Sequence, residues 1–226
     1  MMKKTSIYLF PLLIYLLFHR VLAQIQLAWW GQKNFDNTFY LLINIVLLLN
    51  SLIICLWQAN ILHFKPFHPS RIKWKHVPTI LCLVGAIFYF NLNSSRWFSI
   101  PLTENTGSLS TILSYSNGSF YLQGFIIWNV ILGPIREELF YRMLLMETYF
   151  KSSPYYLDIL LSAFAFAASH IIAAGDFQAF WIYAIPGALY ALIYRFSKNI
   201  YFSTLAHILW NGFVYFDLIN IAVKSI

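Results

Sequence analysis

Apolar runs long enough to cross a lipid bilayer recur along this chain, and short polar stretches separate them. Charged residues make up only 10% of the 226 residues, whereas hydrophobic residues make up 60%. A soluble domain carries roughly 25% charged and 45–50% apolar residues, so lipid is the predicted solvent of this chain. At about 20 residues a span, the length has room for six to eight transmembrane helices.

The fold predicted from these runs is all-α: a polytopic transmembrane helical bundle of about seven spans that forms one integral membrane domain over residues 1–226. The predicted spans are 5–28, 38–62, 77–92, 119–147, 156–174, 178–196 and 200–220. The third span is short, which suggests a tilted or partly re-entrant helix. The fourth contains Gly133-Pro134, where a bend is expected. The longest predicted loop is 93–118.

Lysine and arginine are distributed unequally between the two sets of predicted loops. One set holds Lys3, Lys4, Lys65, Arg71, Lys73, Lys75, Lys151, Arg195 and Lys198, and the other holds Lys33, Arg96 and Lys224. The positive-inside rule therefore predicts a multi-pass protein of the cell membrane, with a cytoplasmic N-terminus and an outside C-terminus. A signal peptide cleaved after Ala23 is the alternative interpretation of the first span.

The net charge of +7 also raises the question of nucleic-acid binding. Because the positive residues lie in short loops between apolar runs, we expect them to orient the chain in the membrane instead. The predicted partners are therefore membrane lipids and no nucleic acid.

Ionisable residues inside the last four predicted spans are the feature that points to function, because such residues are costly in a bilayer. They are Arg136, Glu137, Glu138 and Arg142 on the fourth span, His170 on the fifth, and His207, with the polar Asn211, on the seventh. Glu138 and Arg142 are four residues apart, so they share a helix face and can pair. Glu137 points about 100° away and is left to face a cavity.

A carboxylate, two imidazoles and a carboxamide form a hydrolytic set. Glu137 can act as a general base on water, one histidine can help to hold that water, and the second histidine with the Asn211 amide can donate hydrogen bonds to an oxyanion. No serine or cysteine lies in an obvious nucleophile motif, which favours direct attack by water. Zinc, with Glu137, His170 and His207 as ligands, stays open, although the chain lacks His-Glu-x-x-His.

Other interpretations of the same residues are a structural ion-pair cluster of Glu137 and Glu138 with the arginines, or interhelical hydrogen bonding by His207 and Asn211. A transporter or proton relay also uses intramembrane glutamate and histidine. Transporters often show paired halves, whereas here the polar residues cluster in the C-terminal half.

Three ordered motifs resemble those of the CPBP family, which includes type II CAAX prenyl endopeptidases and bacteriocin-processing and immunity-associated proteins. They are Glu137-Glu138-Leu-Phe-Tyr-Arg142, Phe166-Ala-Ala-Ser-His170 and His207-Ile-Leu-Trp-Asn211, within a family-like core of about 119–215.

The resemblance implies an intramembrane endopeptidase whose Glu137 and His170 activate water and whose His207 and Asn211 stabilise the oxyanion. Glu138 and Arg142 would form a supporting pair. The family has been described both as metallopeptidases and as metal-independent glutamate peptidases, so the cofactor stays open. The expected substrate is a peptide or a membrane-anchored protein. A non-catalytic partner in bacteriocin immunity or sensor-kinase regulation is the family's alternative.

Overall fold

The computed structural model describes scattered residues between 42 and 60 and then residues 74–100, 103, 126–147, 153–172 and 175–224. Throughout these ranges the regular structure is helical, which confirms the predicted all-α class. The first predicted span, the signal-peptide alternative and most of the N-terminal basic residues lie outside the described residues.

From residue 74 onward, the described part of the chain contains five helical units. Helix α1 is Val77–Phe98, preceded by a 3-10 turn at Trp74–His76, and α2 is the short α-helix Gly133–Glu138. Helix α3 is Leu157–Ile171, α4 is Phe180–Ser197 after a 3-10 turn at Phe177–Ala179, and α5 is Ile200–Lys224. These bounds follow the predicted spans closely, except at the end of α1.

Helix α1 extends six residues beyond the predicted end at residue 92 and takes in the start of the predicted loop. The polar residues that suggested a loop bond to the helix itself. Asn93 Nδ2 donates to the Tyr89 carbonyl at 2.7 Å, and Ser94 Oγ donates to the Asn91 carbonyl at 3.0 Å. The helix ends where Ser99 adopts a left-handed conformation, with φ 56°. The third predicted span is therefore longer than expected.

Helix α2 lies between two π-helical segments, Trp128–Leu132 before it and Leu139–Met146 after it. We call the continuous unit, residues 128–146, the motif helix. It passes through Gly133-Pro134 without ending, and Pro134 lies in the first turn of α2, which directly follows the first π-helical segment. π-Helical turns are rare and occur often at functional sites, and here they flank the two glutamates.

Helix α4 is the centre of the described bundle, since it packs against α1, α3 and α5. The closest approach is to α3, where a Cβ added to Gly187 would lie 3.1 Å from Phe166 Cδ1 and 3.4 Å from Ala163 Cα. Small residues of this kind let helices approach closely in a membrane. The contact brings α4 against the face of α3 that carries Phe166 and His170.

Polar and apolar residues are distributed as a lipid solvent requires. Buried side chains include the charged Glu138, Arg142 and Asp158, whereas large apolar side chains such as Leu160, Phe164 and Trp181 are exposed. Trp74–Phe98 and Phe177–Ser197 are long and apolar enough to cross a bilayer, and Leu157–Ile171 is apolar but shorter. The count of seven spans and the orientation of the termini stay predictions.

Ion pairs connect the helices at one end of the bundle. Asp158 at the start of α3 pairs with Arg195 at the end of α4, and Lys198 Nζ lies 3.6 Å from Glu147 Oε1. The guanidinium of Arg195 also lies 4.2 Å from the centre of the Tyr156 ring. This end of the bundle carries the basic residues that the positive-inside rule assigns to the cytoplasm.

Candidate active site

Glu137 is the point at which three helices of the bundle meet. Its Oε2 lies 3.9 Å from His170 Nε2 on α3 and 3.8 Å from His207 Nε2 on α5. Its Oε1 lies 3.4 Å from Arg136 Nη2. The structure thus brings together the carboxylate and both imidazoles, which are 33 and 37 residues apart along the chain.

The neighbouring glutamate faces the interior of the bundle and is fully buried. Glu138 Oε2 lies 3.1 Å from Arg142 Nε in an ion pair between two side chains with no solvent exposure. Its other oxygen, Oε1, lies 3.1 Å from His207 Nδ1. One carboxylate therefore holds both the predicted partner Arg142 and a histidine that sequence reasoning did not connect to it.

Arg142 carries this cluster across to α3 and α4. Its Nη1 donates to Ser162 Oγ at 3.3 Å, and its Nη2 donates to the Gly187 carbonyl at 3.1 Å. The guanidinium also lies 5.2 Å from the centre of the Phe166 ring. These contacts form only when the motif helix, α3 and α4 are packed together, so the side chain of Arg142 joins the three helices. Breaking a buried pair of this kind is strongly destabilising.

In both histidines the proton of the neutral ring lies on Nδ1, because the partner of that nitrogen is an oxygen that accepts a hydrogen bond. His170 Nδ1 lies 2.8 Å from the Phe166 carbonyl, and a carbonyl oxygen only accepts, so this nitrogen carries a proton. His207 Nδ1 donates in the same way to the Glu138 carboxylate. In each neutral imidazole the unprotonated Nε2 is therefore the atom directed towards Glu137.

Two tyrosines of α4 stack on the two histidines. The Tyr183 ring lies 4.7 Å from the His170 ring at an interplanar angle of 20°, and the Tyr190 ring lies 4.5 Å from the His207 ring at 17°. Tyr183 and Tyr190 are seven residues apart, which places them on one helix face. This spacing was the available signal for two residues that the motifs do not contain.

A loop residue reaches the same face of the site. The hydroxyl oxygens of buried Thr103 and of Tyr183 are 2.9 Å apart and form a hydrogen bond. Because the Tyr183 ring stacks on His170, Thr103 is coupled to this imidazole through one side chain. Sequence reasoning placed Thr103 in a loop and gave it no part in the site.

Asn211 makes its hydrogen bond to the motif helix. Its Nδ2 donates to the backbone carbonyl of Asn129, in the first π-helical segment, at 2.9 Å. Asn211 therefore joins α5 to the motif helix.

The donor types around Glu137 fit zinc, because each Nε2 is unprotonated when neutral and each Nδ1 is held by an oxygen, as in many zinc-bound histidines. Ligand atoms of a tetrahedral zinc site lie roughly 3.3 Å apart, which is shorter than the 3.8 and 3.9 Å here. Two atoms that are hydrogen-bonded to one water lie roughly 4.5 Å apart, so the distances here fall between the two arrangements. Among the described residues no trio of histidine, cysteine or acidic side chains is close enough to form a ready metal site.

Comparisons with known proteins identify the segment that carries these groups. The family described as "Type II CAAX prenyl endopeptidase Rce1-like" matches residues 119–213. A similar protein is "Putative membrane peptidase YdiL" of Bacillus subtilis (strain 168), 28% identical over 89 residues, which are 39% of this chain and 35% of the relative. The match therefore spans about a third of that relative's length. No solved structure matches the chain.

The matched segment contains all three motifs and the described parts of the motif helix, α3 and α4, together with the first half of α5. Residues 119–213 are therefore similar to the type II CAAX prenyl endopeptidases, which supports the predicted resemblance to the CPBP family, and this match together with the apolar helices indicates a membrane protein.

Proposed function

We propose that this protein is an intramembrane endopeptidase that uses a water molecule, activated by Glu137 and His170, to cleave a peptide or a membrane-associated protein. The observation that carries the proposal is the arrangement of three acceptor atoms around one gap. Glu137 Oε2 lies 3.9 Å from His170 Nε2 and 3.8 Å from His207 Nε2. A water in this gap can donate one hydrogen to Glu137 and one to His170.

Attack by this water follows from the roles of the two groups. Glu137 takes a proton as the water oxygen bonds to the scissile carbonyl carbon, and it later passes the proton to the leaving amine nitrogen. His170, oriented by the Phe166 carbonyl, holds the water in line. The products are a new carboxyl terminus and a new amino terminus.

His207 supplies a donor to the oxyanion when its Nε2 is protonated. Its Nδ1–H is already held by Glu138, so a proton on Nε2 makes the ring an imidazolium that the buried Glu138 carboxylate stabilises. A preorganised donor of this kind contributes about 3–4 kcal/mol to catalysis in other hydrolases. Asn211 has one of its two amide hydrogens committed to the Asn129 carbonyl, which leaves one for an oxyanion.

A metal would use the same groups. Glu137, His170 and His207 are the residues that would hold a zinc ion, which would supply Lewis-acid polarisation of the scissile carbonyl. Under either mechanism Glu138 orients His207, and the Phe166 carbonyl orients His170. The part of the site built by this chain is therefore the same.

The expected substrate is a peptide segment that reaches the site from the membrane surface, such as a leader peptide, a pheromone precursor or a prenylated C-terminus. Membrane lipids are the expected surroundings, and the proposal requires no nucleic acid. The sequence and the site set no preference among these peptides.

Peptide profiles of cells test the proposal. Cells that lack the protein are supplied with the wild type, with Glu137→Gln or with Glu147→Gln, and peptide termini in membranes and medium are quantified by mass spectrometry. Glu147 is a matched control, because it directly follows the motif helix, ten residues after Glu137, and pairs with Lys198 away from the histidines. We expect a set of peptides produced by the wild type and Glu147→Gln and lost with Glu137→Gln. Identical profiles for all three would favour a non-catalytic membrane partner.

A further inference from the structure

Pro134 removes a hydrogen-bond donor from the middle of the motif helix. In the segment Trp128–Leu132 the bonds span five residues, and the Gly133 N–H donates to the Trp128 carbonyl. With the same five-residue spacing, the N–H of residue 134 would donate to the Asn129 carbonyl. Proline has no N–H, so the chain cannot supply that bond.

A side chain from α5 supplies a donor to the same carbonyl. Asn211 Nδ2 lies 2.9 Å from Asn129 O, a good distance for an N–H···O bond. The two helices also approach closely at the next residue, where a Cβ added to Gly212 would lie 3.6 Å from Val130 Cγ1. The bond therefore forms at a packed interface between α5 and the first π-helical segment.

This bond joins the two helices that carry Glu137 and His207, the motif helix and α5. Asn211 is one turn after His207 on α5, and Pro134 is three residues before Glu137 on the motif helix. Glu137 Oε2 and His207 Nε2 are 3.8 Å apart, so a small shift of one helix along the other would separate them. A misplacement of about 1 Å can cost a hundredfold in rate.

We infer that Asn211 is a positioning residue, which replaces the hydrogen bond that Pro134 cannot make and so sets the register of Glu137 against His207. The expected effect of Asn211 on cleavage rests on the proposed function, whereas its expected effect on helix packing is independent of that function. The competing role is a direct bond from the Asn211 amide to the oxyanion. The two roles differ in how they respond to a change at Pro134.

Pro134→Ala gives the motif helix an N–H at the place where Asn211 donates. If Asn211 acts through the Asn129 carbonyl, its loss matters less once the helix supplies this donor itself. If it acts on the oxyanion, its loss costs the same whether or not residue 134 has an N–H. The double-mutant cycle between positions 134 and 211 therefore separates a positioning residue from a direct donor.

The experiment combines Asn211→Ala with Pro134→Ala in the full chain. The readouts are the yield of the wild-type-specific peptides in cells and the midpoint of thermal unfolding in detergent. We expect Asn211→Ala alone to lower the yield by about ten- to a hundredfold. In the Pro134→Ala background we expect the loss to shrink to a few-fold, with a parallel recovery of the unfolding midpoint. Asn211→Leu, which lacks the amide but keeps the volume, should be rescued in the same way.

Equal losses from Asn211→Ala in both backgrounds, in yield and in unfolding midpoint, would overturn the inference. An Asn211 variant that folds only when it is combined with Pro134→Ala is rescued by the second change, and this result would support the inference. The unfolding midpoint needs no substrate, so it also separates the two proposals. Recovery of the midpoint in a protein whose wild type yields no specific peptides would uphold the role of Asn211 and reject the peptidase.

Discussion

His207 and Glu138 are joined by a hydrogen bond of 3.1 Å between Nδ1 and Oε1, across 69 residues of chain. The other oxygen of Glu138 lies 3.1 Å from Arg142 Nε. The second glutamate of the motif therefore does more than neutralise an arginine. It fixes which nitrogen of His207 faces Glu137.

Glu138→Gln should weaken both stability and cleavage. The amide leaves the buried Arg142 charge without its carboxylate, which costs about 3–5 kcal/mol, and its single oxygen cannot accept from both Arg142 and His207. Loss of an orienting partner typically costs 10–100-fold in activity. Unfolding in detergent and the yield of wild-type-specific peptides measure the two effects. Glu147→Gln, the same change outside the site, should have the smaller effect on both, and equal effects would reject this role for Glu138.

Gly187→Ala should separate α3 from α4. The added methyl group meets Phe166 Cδ1 at 3.1 Å and Ala163 Cα at 3.4 Å, so the helices must shift and Phe166 with them. Overpacking of this kind costs about 1–3 kcal/mol. Gly85→Ala is the matched control, because an added Cβ there has nothing within 4 Å. If the two variants unfold at the same temperature, the close approach at Gly187 does not contribute to stability.

Tyr183 offers a test of how the loop affects His170. Tyr183→Phe removes the hydrogen bond to Thr103 and keeps the ring that stacks on His170, so cleavage should fall about fivefold or less, as for one lost hydrogen bond. Tyr183→Leu removes the ring as well and should lower cleavage further. The peptide yield from the two variants, compared at equal protein level, measures the difference. A greater loss with phenylalanine than with leucine would contradict the importance of the stack.

Asp158→Ala should destabilise the bundle at the end away from the site. Asp158 is buried and pairs with Arg195, whose side chain is partly exposed, so we expect a loss of about 2 kcal/mol, less than for a fully buried pair. The unfolding midpoint should fall, whereas the identity of the cleaved peptides should not change. A changed set of peptides would show that this ion pair acts on the site.

The fold class and the positions of the C-terminal helices could be predicted from the sequence, because apolar run length is a local property. The predicted end of α1 was wrong for a physical reason. Asn93 and Ser94 look like loop residues, yet their side chains bond to carbonyls of the preceding turn and the helix continues. The same ambiguity applies to any polar residue near a span end.

The convergence of Glu137 with His170 and His207 was predicted from three ordered motifs, and the structure places each imidazole within 4 Å of the Glu137 carboxylate. The bonds between motifs were not predictable in the same way. That His207 Nδ1 meets Glu138, and that Asn211 meets the Asn129 carbonyl, depends on how α5 packs against the motif helix. Local spacing does not determine the register between helices, nor does it reveal that π-helical turns flank α2.

The most direct test of the site is cleavage by the purified protein in liposomes, with the peptides whose termini distinguish wild-type cells as substrates. We expect wild type and Glu147→Gln to cleave them, and Glu137→Gln to be slower by about 10²–10⁴-fold, the usual contribution of a general base. All three proteins should be folded and should show a single unfolding transition, so that the lower cleavage rate of Glu137→Gln reflects the chemical step and not misfolding. Cleavage by Glu137→Gln at the wild-type rate would contradict the assignment of Glu137 as the residue that activates water.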